Sequence, residues 1–126
     1  MADGVEMNVS TGDHSSISPG ELSRRLQAGE RMVVLDIREQ FERATCMITV
    51  PATSVDLYIP MNSLPGRIDE VSGTCALGQI VVYCHHGVRS RMVVDWLLGN
   101  GLSGVANLEG GIAAWSETVD PSVRRY

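Results

Sequence analysis

Residues 80–108 constrain the fold most, because they read as a strand, a loop, a helix and a second strand in unbroken order. Ile80-Val81-Val82-Tyr83 is a short, continuous apolar run rich in β-branched residues, the pattern of a strand covered on both faces. Over residues 90–98, Val93, Trp96 and Leu97 fall at i, i+3, i+4, with Val94 and Leu98 at i, i+4, which predicts a helix buried over a wide arc. Gly99-Asn100-Gly101 ends it, and Val105-Ala106-Asn107-Leu108 follows as a weaker strand run. Two strands joined through a helix in this way run parallel.

Met32-Val33-Val34-Leu35 supplies a third run of the same kind. Before it, Ser18-Pro19-Gly20-Glu21 has the capping-box pattern with proline at the first helical position, Leu22 and Leu26 share one face, and Gly29 marks the helix end. Residues 43–78 are broken by Pro51, Pro60, Pro65, Gly66, Gly73 and Gly78, leaving room for short helices at most. A last amphipathic piece covers residues 112–119, and Trp96 and Trp115 read as core anchors. Residues 1–16 read as a flexible tail and residues 17–126 as one domain, in keeping with 126 residues of which 44% are hydrophobic.

Composition removes several chemistries. All ten basic residues are arginine, so no Schiff-base lysine, phosphate-loop lysine or Ser-x-x-Lys pair exists in this sequence. A net charge of −5 argues against nucleic acid or an anionic membrane as a partner bound through overall charge. The first 16 residues lack a positive segment and an apolar stretch of signal-peptide length, and no later stretch approaches a membrane span. Cys46, Cys75 and Cys84 are odd in number, widely spaced and without a C-x-x-C, which predicts a reducing compartment, the cytoplasm, rather than a disulfide framework.

Chemistry concentrates in Cys84-His85-His86-Gly87-Val88-Arg89-Ser90-Arg91, between the C-terminal end of a buried strand and the start of a helix. Ligands of open α/β sheets bind at that edge. A glycine-containing turn entering a helix aims backbone N–H groups at one point and adds the positive end of the helix dipole, a cradle for an anion. That anion is either a bound substrate or the thiolate of Cys84, which helix N-termini and nearby cations favour over the thiol. His85, His86, Arg89 and Arg91 place potential positive charge around it. The alternative for Cys84 is a small buried hydrophobe, and for the histidines exposed loop residues. Consecutive side chains rarely converge on one ion and no further ligand spacing is present, so neither a metal nor a cofactor is expected.

The segment from Cys84 to Ser90 resembles the active-site loop of rhodanese-type sulfurtransferases, and the resemblance covers about residues 17–126. Supporting it in the family's order are Asp36-Ile37-Arg38-Glu39 with Phe41-Glu42, Ile59-Pro60-Met61-Asn62, Asn107-Leu108-Glu109-Gly110-Gly111-Ile112 with Trp115, and Asp120-Pro121-Ser122-Val123. It is similar above all to small bacterial single-domain rhodaneses and to the rhodanese domain of some sulfur-carrier adenylyltransferases. The resemblance implies an α/β rhodanese-like fold, a central parallel five-stranded sheet with helices on both faces. It implies a sulfurtransferase in which Cys84 takes sulfur from a small sulfur-containing anion such as thiosulfate, holds it as a persulfide, and passes it to cyanide, a small thiol or a protein thiol.

In that scheme His85, His86, Gly87, Val88, Arg89 and Ser90 form the substrate-binding loop. Arg89 either clamps the loop or binds the donor's sulfonate. Asp36 and Arg38 follow the first strand run and stand behind the loop, a structural ion pair being favoured over direct catalysis. The alternative function is a sulfur-carrier or protein-binding module with little activity on free thiosulfate.

Rhodanese-fold phosphatases and arsenate reductases have five residues between cysteine and arginine, whereas four separate Cys84 from Arg89, a cradle better suited to one sulfur atom than to a tetrahedral oxyanion. The sequence departs from the family's Gly-His-Ile or Cys-His-Ile pattern at Cys46-Met47-Ile48, with Met in the histidine position, and carries extra residues at about 53–58 before Ile59-Pro60.

Overall fold

The computed structural model describes residues 15–126; most of the stretch read as a tail, residues 1–14, lies outside the described residues. Five strands form one sheet: β1 (Ser16–Ile17), β2 (Val33–Asp36), β3 (Val55–Tyr58), β4 (Ile80–Tyr83) and β5 (Val105–Leu108), in the order β1-β5-β4-β2-β3 and all parallel. Ser16, counted with the tail in the sequence, pairs with Asn107 at one sheet edge. The helices are α1 (Pro19–Gln27), α2 (Gln40–Thr45), α3 (Leu64–Ser72), α4 (Val88–Gly99) and α5 (Gly111–Thr118).

The three apolar runs are the three central strands, and β2, β4 and β5 are buried along their full length. Alternate side chains go to opposite faces, as the pleat requires. Val34, Val81, Tyr83 and Ala106 join Leu22, Leu26, Ile112 and Trp115 beneath α1 and α5. Val33, Leu35, Val82 and Val105 join Leu64, Val71, Val93 and Leu97 beneath α3 and α4. Covering both faces is what excludes water from parallel strands, and the expected architecture is the one observed. At the start of α1, Ser18 caps the helix, its Oγ accepting from the Glu21 N–H at 3.1 Å.

Three expectations need correction. Residues 43–78 hold strand β3 and the nine-residue α3, not short helices alone. The residues read as extra at 53–58 contain that strand: Val55 to Tyr58 pair in register with Val33 to Asp36. The arc buried by α4 is narrower than its composition suggested, with Ser90, Val93, Val94 and Leu97 inward while Trp96 is 37% and Leu98 38% exposed. Trp115 is a core anchor at 5% exposure; Trp96 is not.

The register positions the chemistry. Asp36 lies beside Tyr83 and Val82 beside Asn107, so β2, β4 and β5 end level with one another. The segments starting at Ile37, Cys84 and Glu109 therefore leave the sheet from the same edge.

Candidate functional site

Cys84 is the first residue beyond β4 and is 1% exposed. The chain turns at Gly87, whose φ of 97° lies in the left-handed region, and continues as α4. This turn brings three contacts onto one sulfur. The N–H groups of Gly87 and Ser90 donate to Cys84 Sγ at 3.2 and 3.3 Å, and Ser90 Oγ lies 3.2 Å away. With α4 pointing its N-terminus at the same place, the turn aims backbone donors and the positive end of the helix dipole at the sulfur.

The start of α5 grips the loop from behind. Ile112 N–H donates to the Cys84 carbonyl at 2.9 Å and Ala113 N–H to the His85 carbonyl at 3.0 Å. Such an approach requires glycine at 111, where φ is 62° and a Cβ would lie 2.4 Å from the His85 carbonyl oxygen.

Arg89 points sideways onto Glu42 of α2, its two terminal nitrogens donating to the two carboxylate oxygens at 2.8 and 3.0 Å. This geometry is that of a loop clamp. Arg89 pulls the Glu42 carboxyl down to about 2, helped by the Glu39 N–H and the Tyr126 hydroxyl against the opposing effect of burial. Tyr126 donates its hydroxyl to Glu42 at 2.7 Å and accepts from Arg38 at 2.9 Å; burial, with the Glu42 contact, pushes its own pKa up to about 12.

Arg38 and Asp36 form a buried two-point ion pair at 2.9 Å on each arm, and Arg38 also donates to the Cys46 carbonyl at 2.6 Å. Burial works against the Arg38 charge, but Asp36 and Tyr126 outweigh it and hold the guanidinium protonated. Hydrogen bonds thus run without a break from Asp36 through Arg38, Tyr126 and Glu42 to Arg89 on the loop. Arg43 reinforces the far end, donating to Asp36 at 3.2 Å and Asp56 at 3.0 Å.

Two residues expected to lend charge to the sulfur do not. His85 is stacked between His86 and Tyr126, each ring centroid 3.9 Å away, and burial, followed by His86, pushes it below the ordinary histidine value, so it is neutral at pH 7. Arg91 turns away to the Ser15 carbonyl, Ser16 and Asp95, tying β1 to α4. Val88 is 70% exposed on the rim. A cavity of about 200 Å³ opens beside the loop, bordered by His85, His86, Ser116, Arg124 and Tyr126.

Glu42, Asn107 and Tyr126 were not singled out in the sequence, although all three hold the loop or its clamp. Glu42 and Asn107 stood inside matched motifs without a role. One usable signal was Asn107, a lone amide in an apolar strand run; the pairing of Glu42 with Arg89 joins residues 47 positions apart and left no local trace.

Fold and site together define a parallel α/β domain centred on one backbone-cradled cysteine at a strand-to-helix turn. A family model described as "Rhodanese-like domain" matches residues 18–118, and the chain belongs to that family. A protein named sulfurtransferase from Allochromatium vinosum is 34% identical over 102 residues, covering 81% of this chain and 88% of its own. A tRNA uridine(34) hydroxylase from Bacillus velezensis is 30% identical over 98% of this chain, which spans 36% of that longer protein. The solved structure of a rhodanese-related protein from Thermoplasma volcanium superposes with a TM-score of 0.68 at 32% identity, covering 88% of this chain and 98% of that one. Kinship of this kind makes the chain a rhodanese-domain protein of the sulfurtransferase kind. Among the described residues no helix is long and apolar enough to cross a membrane.

Proposed function

We propose that residues 17–126 form a sulfurtransferase that carries sulfur as a persulfide on Cys84. The observation that carries this reading is the convergence of the Gly87 and Ser90 N–H groups on Cys84 Sγ at the N-terminus of α4. The Cys84 thiolate attacks the outer sulfur of a donor such as thiosulfate. As the new S–S bond forms, the donor's S–S bond breaks and sulfite leaves with the electron pair. The loaded cysteine carries its charge on the terminal sulfur. Cyanide, a small thiol or a protein thiol then attacks that sulfur; with cyanide the products are thiocyanate and the original thiolate. Every step is nucleophilic substitution at sulfur and balances without an added oxidant or reductant.

Arg89 supports sulfur chemistry over phosphate chemistry. Its guanidinium is engaged on both arms by Glu42, so it holds the loop's shape rather than facing an oxyanion. Asp36 and Arg38 act at one further remove, through Tyr126 and Glu42. A reactive persulfide suits a reducing compartment, and the cytoplasm is the proposed location.

The test is thiosulfate treatment followed by mass measurement of the Cys84 peptide. The expected result is a gain of one sulfur atom, removed by cyanide with release of thiocyanate. A persulfide formed only from a protein donor would instead identify a sulfur-carrier module, the arrangement suggested by relatives in which this domain is about a third of a longer chain.

A further inference from the structure

Of the ten arginines, eight face a carboxylate, and the side chains of Arg31 and Arg124 have no ion pair or hydrogen bond among the described residues. Arg31 precedes β2, at the opposite end of the sheet from Cys84. Arg124 borders the cavity of about 200 Å³ beside the Cys84 loop. It is the free guanidinium of that cavity, because Arg125 on the same rim faces Glu117 at 3.9 Å.

The segment carrying Arg124 is anchored on both sides of it. Val123 is buried, its carbonyl accepting from the Ser116 hydroxyl at 2.8 Å, and Tyr126 stacks on His85. A guanidinium on an anchored backbone has less freedom to lose on binding than one on a loose tail. The rest of the wall includes Ile112 and Ala113 from α5 and the two residues that follow Cys84, His85 and His86. An apolar strip and one unpaired positive charge thus meet in a cavity whose wall begins one residue along the chain from the cysteine.

Size and lining narrow the ligand. Bulk water takes about 30 Å³ per molecule, so a cavity of about 200 Å³ has room for about six or seven waters. An ion as small as thiosulfate leaves most of that space unfilled. A short carbon chain ending in a carboxylate covers the apolar strip and meets the guanidinium in a two-point contact. Arg89 is not available for this, since Glu42 holds both of its arms.

We propose that this cavity is the acceptor subsite of the Cys84 centre and that it takes a small organic thiol bearing a carboxylate, which Arg124 binds. The acceptor role rests on the sulfur-transfer proposal. With the carboxylate held, the acceptor's thiolate forms a bond to the terminal sulfur of the Cys84 persulfide. The bond from that sulfur to Sγ breaks, and its electron pair goes to Sγ. The small molecule leaves as a persulfide, and neither oxidant nor reductant is consumed.

The experiment compares two acceptors of one skeleton, 3-mercaptopropionate and 3-mercaptopropionamide, which differ in charge. Sulfur transfer from thiosulfate to each is read as kcat/KM. The acid-to-amide ratio should fall about three- to tenfold in Arg124→Gln, through a higher KM for the acid. Arg31→Gln makes the same change in net charge at the far end of the sheet and should keep the wild-type ratio. An unchanged ratio in Arg124→Gln, or an equal fall in Arg31→Gln, would overturn the proposal.

A second measurement needs no turnover. Calorimetric titration of Cys84→Ser with 3-mercaptopropionate should show binding that weakens by a similar factor once Arg124→Gln is added. No binding to Cys84→Ser, or binding indifferent to Arg124→Gln, would overturn the subsite. If wild type takes up no sulfur while Arg124-dependent binding is present, the acceptor role falls with the sulfur-transfer reading and the carboxylate site stands.

Discussion

Arg89 and Glu42 meet in a two-point ion pair, 2.8 and 3.0 Å on its two arms, that fastens the Cys84 loop to α2. Glu42 is buried while Arg89 is 35% exposed, so the carboxylate depends on this contact more than the guanidinium does. Replacing it by Glu42→Gln keeps the shape and removes the charge. The expected cost is about 1–3 kcal/mol in urea denaturation, with a fall in thiocyanate production because the Gly87 and Ser90 amides are no longer held in place. Full activity in Glu42→Gln would show that the loop holds its shape without the clamp.

The same pair sets an acid limit. The folded-state value of Glu42 is lowered to about 2 from an ordinary 4.5, so its contribution is complete above the higher value and is lost as pH falls toward the lower one. The stability difference between wild type and Glu42→Gln should be flat from about pH 5 to 8 and shrink between about pH 4.5 and pH 2. Denaturation midpoints across pH check this, and a difference that changes around neutrality would point to another group.

Tyr126→Phe retains the ring stacked on His85 and deletes the hydroxyl between Arg38 and Glu42. Each charged partner keeps its main ion pair, so the expected loss is about 1 kcal/mol and smaller than that of Glu42→Gln. Combining the two substitutions should cost less than their sum, because both act on one network. Strict additivity in a double-mutant cycle would contradict the chain of contacts from Arg38 to Arg89.

How much of this was legible in the sequence follows from physical locality. The central strands were readable because burial on both faces makes each a continuous β-branched run. Val55–Tyr58 was not, since it carries the exposed Asp56 and sits between prolines, and Ser16–Ile17 is too short to show any period. The loop from Cys84 to Ser90 lies in one contiguous stretch and could be read directly. Its supports come from elsewhere: Glu42 is 47 residues before Arg89, and Tyr126 is 84 after Glu42. Parallel register brings them together, and register is a property of the whole sheet.

Gly111→Ala tests the grip of α5 on the loop. The positive φ and a Cβ 2.4 Å from the His85 carbonyl oxygen leave no room, so the loop must move or the helix must detach. The expected effect is a loss of at least about 2 kcal/mol together with most of the sulfur-transfer rate. Gly20→Ala is the control: nothing lies within 4 Å of where a Cβ at residue 20 would stand, and helix propensity should make it neutral or slightly stabilising. Equal behaviour of the two variants would contradict the close packing at Gly111.

Intact mass and peptide mapping of the wild-type protein after brief exposure to thiosulfate, with Cys84→Ser beside it, test the central claim most directly. The account requires one added sulfur atom on Cys84, none on Cys46 or Cys75, complete removal by cyanide with an equal yield of thiocyanate, and no turnover in Cys84→Ser. Sulfur found on another cysteine, or thiocyanate still produced by Cys84→Ser, would contradict it.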